Sequence, residues 1–131
     1  MIKANEAVVG RVFNRKHGKG WAETVLTEEI VGKIFSGSSE YSLNDFEPIP
    51  LDAEWIKRLG FVFNRELDGW EKQNWLPFHV EKRTTLYEWY FLTTFKKDWK
   101  IGKFQYVHQL QNLYHSLTGE ELTIDKTKEG E

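Results

Sequence analysis

The sequence predicts an α+β fold: a small SH3-like β-barrel module followed by an antiparallel sheet packed against a C-terminal helix. Three observations lead there. Residues 8–47 hold short β-branched and aromatic runs separated by polar, glycine-containing turns, the pattern of small curved sheets. Pro48-Ile49-Pro50 then breaks the ladder, because proline fixes its own φ and lacks a backbone donor. Near the end of the chain, Val107, Leu110, Leu113, Tyr114 and Leu117 recur at helical spacing.

In the first module, Val8, Val9, Val12 and Phe13 are expected to open a strand that ends in the polar turn Asn14 to Gly20. Trp21 to Thr27 alternates as a second strand. Ile30, Val31, Ile34 and Phe35 are rich in β-branched residues and read as a third, and Ser36 to Ser39 as a loop. A fourth short strand is expected around Tyr41 to Leu43, followed by a single turn at Asn44-Asp45-Phe46.

Past the prolines, Asp52 suits the N-cap of a helix over Ala53 to Leu59, with Gly60 at its C′ position. Trp55, Ile56 and Leu59 form its apolar face. Phe61 to Arg65 reads as a strand, and Asp68-Gly69 as a hairpin turn into Trp70. Leu76 to Lys82 and Leu86 to Phe95 read as two longer strands, the second apolar at both parities and so covered on both faces. The last helix is expected to lay Leu110, Leu113 and Leu117 on the sheet, with Gly119 as its stop and Leu122 and Ile124 as a short closing strand. The expected organisation is residues 1–47 as the barrel-like module, 48–124 as an α+β half packed on it, and 125–131 as a frayed charged tail.

Composition bounds the function. The 131 residues are 40% hydrophobic and 29% charged, enough to build a core without staples. A net charge of −2 supplies no global field for nucleic acid or anionic lipid. The chain has no cysteine, which removes disulfides, thiol nucleophiles and thiolate zinc sites together. Met1 to Glu6 offers no apolar signal segment and no uncharged apolar run is long enough to span a bilayer, so a cytoplasmic protein without a membrane partner is expected.

Each catalytic or metal pattern in the sequence has a simpler reading. His108 and His115 stand two helical turns apart, where zinc helices place histidines one turn apart, so they read as a solvated or hydrogen-bonded helix face. His79-Val80-Glu81 shares its spacing with zinc deaminases but lacks the accompanying cysteines, and reads as two polar residues on the outward face of a strand. The acid pairs Glu28-Glu29 and Glu120-Glu121 sit at element ends, where carboxylates are ordinarily solvated. Ser36, Ser38 and Ser39 lie in a flexible loop without a nucleophile elbow. No phosphate loop or dinucleotide fingerprint is present. Neither an enzyme, a cofactor nor a bound metal is expected.

Aromatic content is the unusual quantity, at 15% with 6 Trp, 5 Tyr and 9 Phe. Trp and Tyr favour half-wet surfaces such as interfaces, although a thin domain also uses large rings to fill its core. Trp21, Trp70 and Trp75 lie in or beside hydrophilic stretches and are the candidate contact residues. Arg15, Lys16 and Lys19, in the loop Arg15-Lys16-His17-Gly18-Lys19-Gly20 before Trp21, are candidates for phosphate contact, with Glu23, Glu28 and Glu29 close by as a counterweight.

Residues 48–61 (PIPLDAEWIKRLGF) and 106–122 (YVHQLQNLYHSLTGEEL), with Lys3-Ala4-Asn5-Glu6 and Val9-Gly10-Arg11-Val12, resemble a family of short proteins of Bacteroides-type bacteria and their phages and mobile elements. The resemblance implies a cytoplasmic, phage- or element-associated setting and brings no catalytic or binding residue with it. The expected function is therefore that of a non-enzymatic interaction or accessory protein that binds a protein partner or itself. The alternative is a small-ligand, nucleotide or nucleic-acid binding module that uses exposed aromatics and the basic loop.

Overall fold

The computed structural model describes residues 1–66, 68–72, 79–84, 88–93 and 100–124. Its elements are those of an α+β protein with two antiparallel sheets and a C-terminal helix. They fall into two compact units, one of residues 1–50 with 106–111, the other of residues 51–105 with 112–131.

The first unit is built on a three-stranded sheet in the order β2-β1-β3, from β1 (Val12–His17), β2 (Gly20–Val25) and the two-residue β3 (Phe46–Glu47). No closed barrel is found among its described residues. The segment expected to be a third strand is a helix instead, α1 (Glu28–Phe35). Thr27 caps it, its hydroxyl oxygen accepting the Ile30 N–H at 3.2 Å, and Glu28 and Glu29 sit favourably at the positive end of the helix dipole. Ile30, Val31 and Ile34 then fall on one helical face and pack against the core of Ile2, Ala7, Phe13, Leu26 and Phe46. Cap and spacing outweigh the β propensity of the branched residues.

The β1–β2 hairpin is longer than expected. Pairing continues from Val12↔Val25 to His17↔Gly20, so Asn14 to His17 is strand and only Gly18-Lys19 is turn. Gly18 at φ 60° fills the first central position, as a type II′ turn requires. Tyr41 to Leu43 is not a strand; Leu43–Asp45 is a 3-10 turn, and the third strand follows it at Phe46–Glu47.

The face of α3 (Val107–Thr118) that the sequence marks as polar is partly buried in this unit. His108 is 2% exposed and Gln111 fully buried, alongside Val107 and Leu110. At the helix start, Gln109 reaches back to accept the Tyr106 N–H at 3.1 Å, half of a capping box. Gln111 makes two long-range bonds. Its Oε1 accepts the Val12 N–H and its Nε2 donates to the Gly10 carbonyl, both at 3.0 Å, as a neighbouring strand's backbone would. His108 Nε2 lies 2.6 Å from Glu6 Oε2, and its Nδ1 faces no hydrogen-bond partner among the described residues. Of the expected leucine stripe, Leu110 is buried, Leu113 half-buried and Leu117 exposed. The buried line is Val107–Leu110–Gln111–Tyr114.

The second unit contains α2 (Ala53–Arg58) and a five-stranded sheet in the order β4-β5-β6-β7-β8. Asp52 Oδ1 caps α2 through the Trp55 N–H at 2.8 Å, and Gly60 ends the helix at φ 93°. The strands are β4 (Val62–Asn64), β5 (Gly69–Glu71), β6 (His79–Thr84), β7 (Glu88–Thr93) and β8 (Lys100–Phe104). The sequence reading lacks β8, because Gly102 interrupts it and Ile101 and Phe104 do not alternate. Leu122 is buried, but residues 121–124 form no strand. Residues 73–78, Leu86, Phe95 and the 125–131 tail, all assigned above, lie outside the described residues.

Two predictions follow from α3. Gln111→Leu leaves the buried Val12 N–H and the part-buried Gly10 carbonyl without this partner, and should cost about 1–3 kcal/mol in chemical denaturation, chiefly for the orphaned Val12 N–H. The second concerns acid. Burial pushes the His108 imidazole below the ordinary histidine value and Arg11 adds to this, against the opposing pull of Glu6. Between that lowered value and the ordinary one of about 6.5, the unfolded chain holds more protons than the folded one. Stability should therefore fall as pH drops below about 6.5, and His108→Gln, which keeps a donor towards Glu6, should flatten that part of the stability–pH curve.

Candidate binding site

Cross-strand register sorts the second unit's side chains. Phe63 pairs with Trp70, Trp70 with Val80 and Val80 with Leu92, which places all four on one face of the sheet. Tyr90 shares this face by parity. The Trp70 ring stands edge-on to Phe63 at 5.2 Å between centroids and tilted to Tyr90 at 6.3 Å. The result is an aromatic row from the sheet edge inward, with Tyr90 buried, Trp70 half-buried and Phe63 45% exposed.

Beside that edge lies a groove of about 270 Å³, lined by Ala53, Glu54 and Lys57 of α2, Phe61, Val62 and Phe63 of the strand, and Trp70. Its walls are mostly carbon. Glu54 and Lys57 are exposed on the helix side, and Val62 is 55% exposed at the strand side. The residue types suit desolvation of an apolar side chain with charge at the rim. They supply no nucleophile.

The opposite face carries His79, Glu81 and Thr93, all buried. The sequence reading placed His79 and Glu81 outward, and the structure overturns that: β6 lies between β5 and β7, covered on both faces. His79 Nε2 lies 3.4 Å from Glu81 Oε1. Gly69 makes room for this pair. A Cβ there would stand 2.7 Å from the Val80 carbonyl oxygen, 2.8 Å from His79 Cδ2 and 3.3 Å from Glu81 Cγ. Among the described residues no group of three or more His, Asp or Glu could hold a metal ion.

The candidate residues named from sequence do not form one site. Trp70 belongs to the groove. Trp75 lies outside the described residues. Trp21, 53% exposed, faces Lys16 across the first unit's hairpin, and Lys19 is exposed at its tip. Arg15 is half-buried, its guanidinium stacked 4.3 Å over the Tyr41 ring. Beside it Lys33 pairs with Glu40 at 2.8 Å and Glu29 at 3.1 Å, which raises the Lys33 pKa and lowers that of Glu40. Arg15 therefore packs on a ring instead of reaching out with the tip lysines.

The sequence reading missed Phe63 as a surface residue. The turn expected at Asp68-Gly69 is overturned: Gly69 belongs to β5 and pairs with Asn64, and it is that register which sets Phe63 against Trp70.

Gly69→Ala should cost about 1–3 kcal/mol by forcing β5 away from β6. Because Trp70 adjoins Gly69, the same variant should shift the tryptophan emission spectrum. An unchanged midpoint and spectrum would show that the sheet tolerates the methyl group.

No helix among the described residues is long and apolar enough to cross a membrane. No protein-family model, curated protein or solved structure matches the chain.

Proposed function

We propose that this chain is a non-enzymatic interaction module that engages a protein partner through the aromatic groove of its second unit. The observation behind this reading is the outward end of the aromatic row: Phe63, partly exposed, edge-on to Trp70 and flanked by exposed Val62. Exposed rings held by packing lose little entropy on binding, as interface anchors do. The phage or mobile-element setting, with a host protein as partner, rests on the resemblance of residues 48–61 and 106–122, and the cytoplasm is its natural compartment.

A second reading places nucleic acid or a nucleotide at the first unit's hairpin, where exposed Trp21 pairs with Lys16 and Lys19 lies at the tip. Two lysines offer few phosphate contacts, and Glu23 shares the Trp21 face by strand parity. The groove is the better-supported site.

The test is site-specific photo-crosslinking in host lysate, with benzoyl-phenylalanine at position 63 and, as a control, at exposed position 3. A discrete protein adduct at 63 alone is expected. Phe63→Glu should weaken capture at least tenfold, about 1.4 kcal/mol or more, while exposed positions contribute little to folding. Absence of a protein adduct, together with Trp21-dependent binding of a labelled oligonucleotide, would favour the second reading.

A further inference from the structure

We infer that the groove receives a short extended peptide that adds as a strand along Val62 and Phe63 of the edge strand β4 and inserts one large apolar side chain beside Phe63 and Trp70. The inference rests on the groove being a protein-binding site and specifies what enters it. β4 ends the five-stranded sheet: Val62 and Phe63 pair with Glu71 and Trp70 of β5, and no strand is paired on their other side among the described residues. Such an edge is a template for main-chain hydrogen bonds, and natural proteins usually blunt it with charge or proline. Here it carries exposed Val62 and Phe63 instead. The groove opens directly beside it and shares both residues.

At about 270 Å³ the space is at the low end of the roughly 300–1,000 Å³ of small-ligand sites, and it has room for one large side chain. A second copy of the chain fits less well. Three strand residues span about 10 Å, and a stable dimer buries on the order of 800 Å² per partner. Charge adds selectivity. Glu54 and Lys57 lie one helical turn apart on the groove wall, exposed, and neither is ion-paired among the described residues. A bound strand would meet them with a basic residue on the Glu54 side of its apolar anchor and an acidic residue on the Lys57 side.

A displayed library of random, unstructured ten-residue peptides selected on the full chain tests this directly. The expected winners carry a Phe, Trp, Leu or Ile flanked by opposite charges. A fluorescein-labelled winner should lose at least tenfold in affinity against Phe63→Glu and be indifferent to Trp21→Ala. Lys57→Glu should weaken it, and a reversed-charge peptide should recover the loss. The decisive probe is the same peptide N-methylated at alternate amides, in both registers: strand addition requires one register to bind at least tenfold more weakly. If neither methylated peptide is weakened while Phe63→Glu still abolishes binding, the groove binds protein but not as a strand, and only this inference fails. No enriched peptide, or enrichment indifferent to Phe63→Glu, overturns the inference even when position 63 crosslinks to a folded protein. A concentration-dependent dimer in sedimentation that Phe63→Glu abolishes would assign the edge to a second copy instead.

Discussion

The buried amide of Gln111 is the contact on which the first unit depends. It lies 99 residues from Val12 in sequence, yet it serves the backbone of Gly10 and Val12 as a sheet neighbour would. Where β1 begins, the buried Val12 N–H would otherwise be unpaired, and a side-chain amide sets an acceptor for it and a donor for the Gly10 carbonyl side by side, as a peptide group does. The same helical face brings His108 to Glu6 and Val107 to the Ile49 carbonyl, at 2.9 Å for the latter. The first unit is thus closed by residues from near the chain's end. Short local strands supply its sheet, and a distant helix satisfies it.

In the second unit the comparable constraint is steric. Gly69 lets β5 lie close to the His79–Glu81 pair on one face while Trp70, its neighbour, stands on the other. Alternation along one strand thereby separates two jobs. One face buries polar side chains inside the sheet, and the other carries the aromatic row toward the edge. Phe63 and Trp70 line the groove from the aromatic face, and Val62 lines it from the other face at the sheet edge.

Aromatic richness is divided between packing and exposure. Phe13, Phe46, Phe61, Phe104, Tyr90 and Tyr114 are buried core, the economical way for a small domain to fill its interior. Trp55 is buried as well and holds the Arg58 guanidinium 4.1 Å from its ring. Among the described residues, rings stay substantially exposed at Trp21 and Phe63, on the edge strands β2 and β4, and at Phe35, where helix α1 ends. Composition therefore overstates the aromatic surface. Edge strands and one helix end locate what surface there is.

The sequence by itself determined the α+β class, helix α2 with its Asp52 cap and Gly60 stop, and helix α3 with Gly119 at φ 75° beyond it. These are local: caps, turn residues and periodicity act within a few positions and need no distant partner. Helix α1 was legible too, since Thr27 and the spacing of Ile30, Val31 and Ile34 were in view, but β-branched composition pulled the reading toward a strand. Only the tertiary structure decided that His108, Gln111, His79 and Glu81 are buried, that Leu117 is not, and that Phe63 meets solvent. Whether a polar side chain can be buried depends on a partner supplied from elsewhere in the chain. Whether an apolar one stays exposed depends on which strand ends the sheet. Both are properties of long-range pairing, to which no local window of sequence has access.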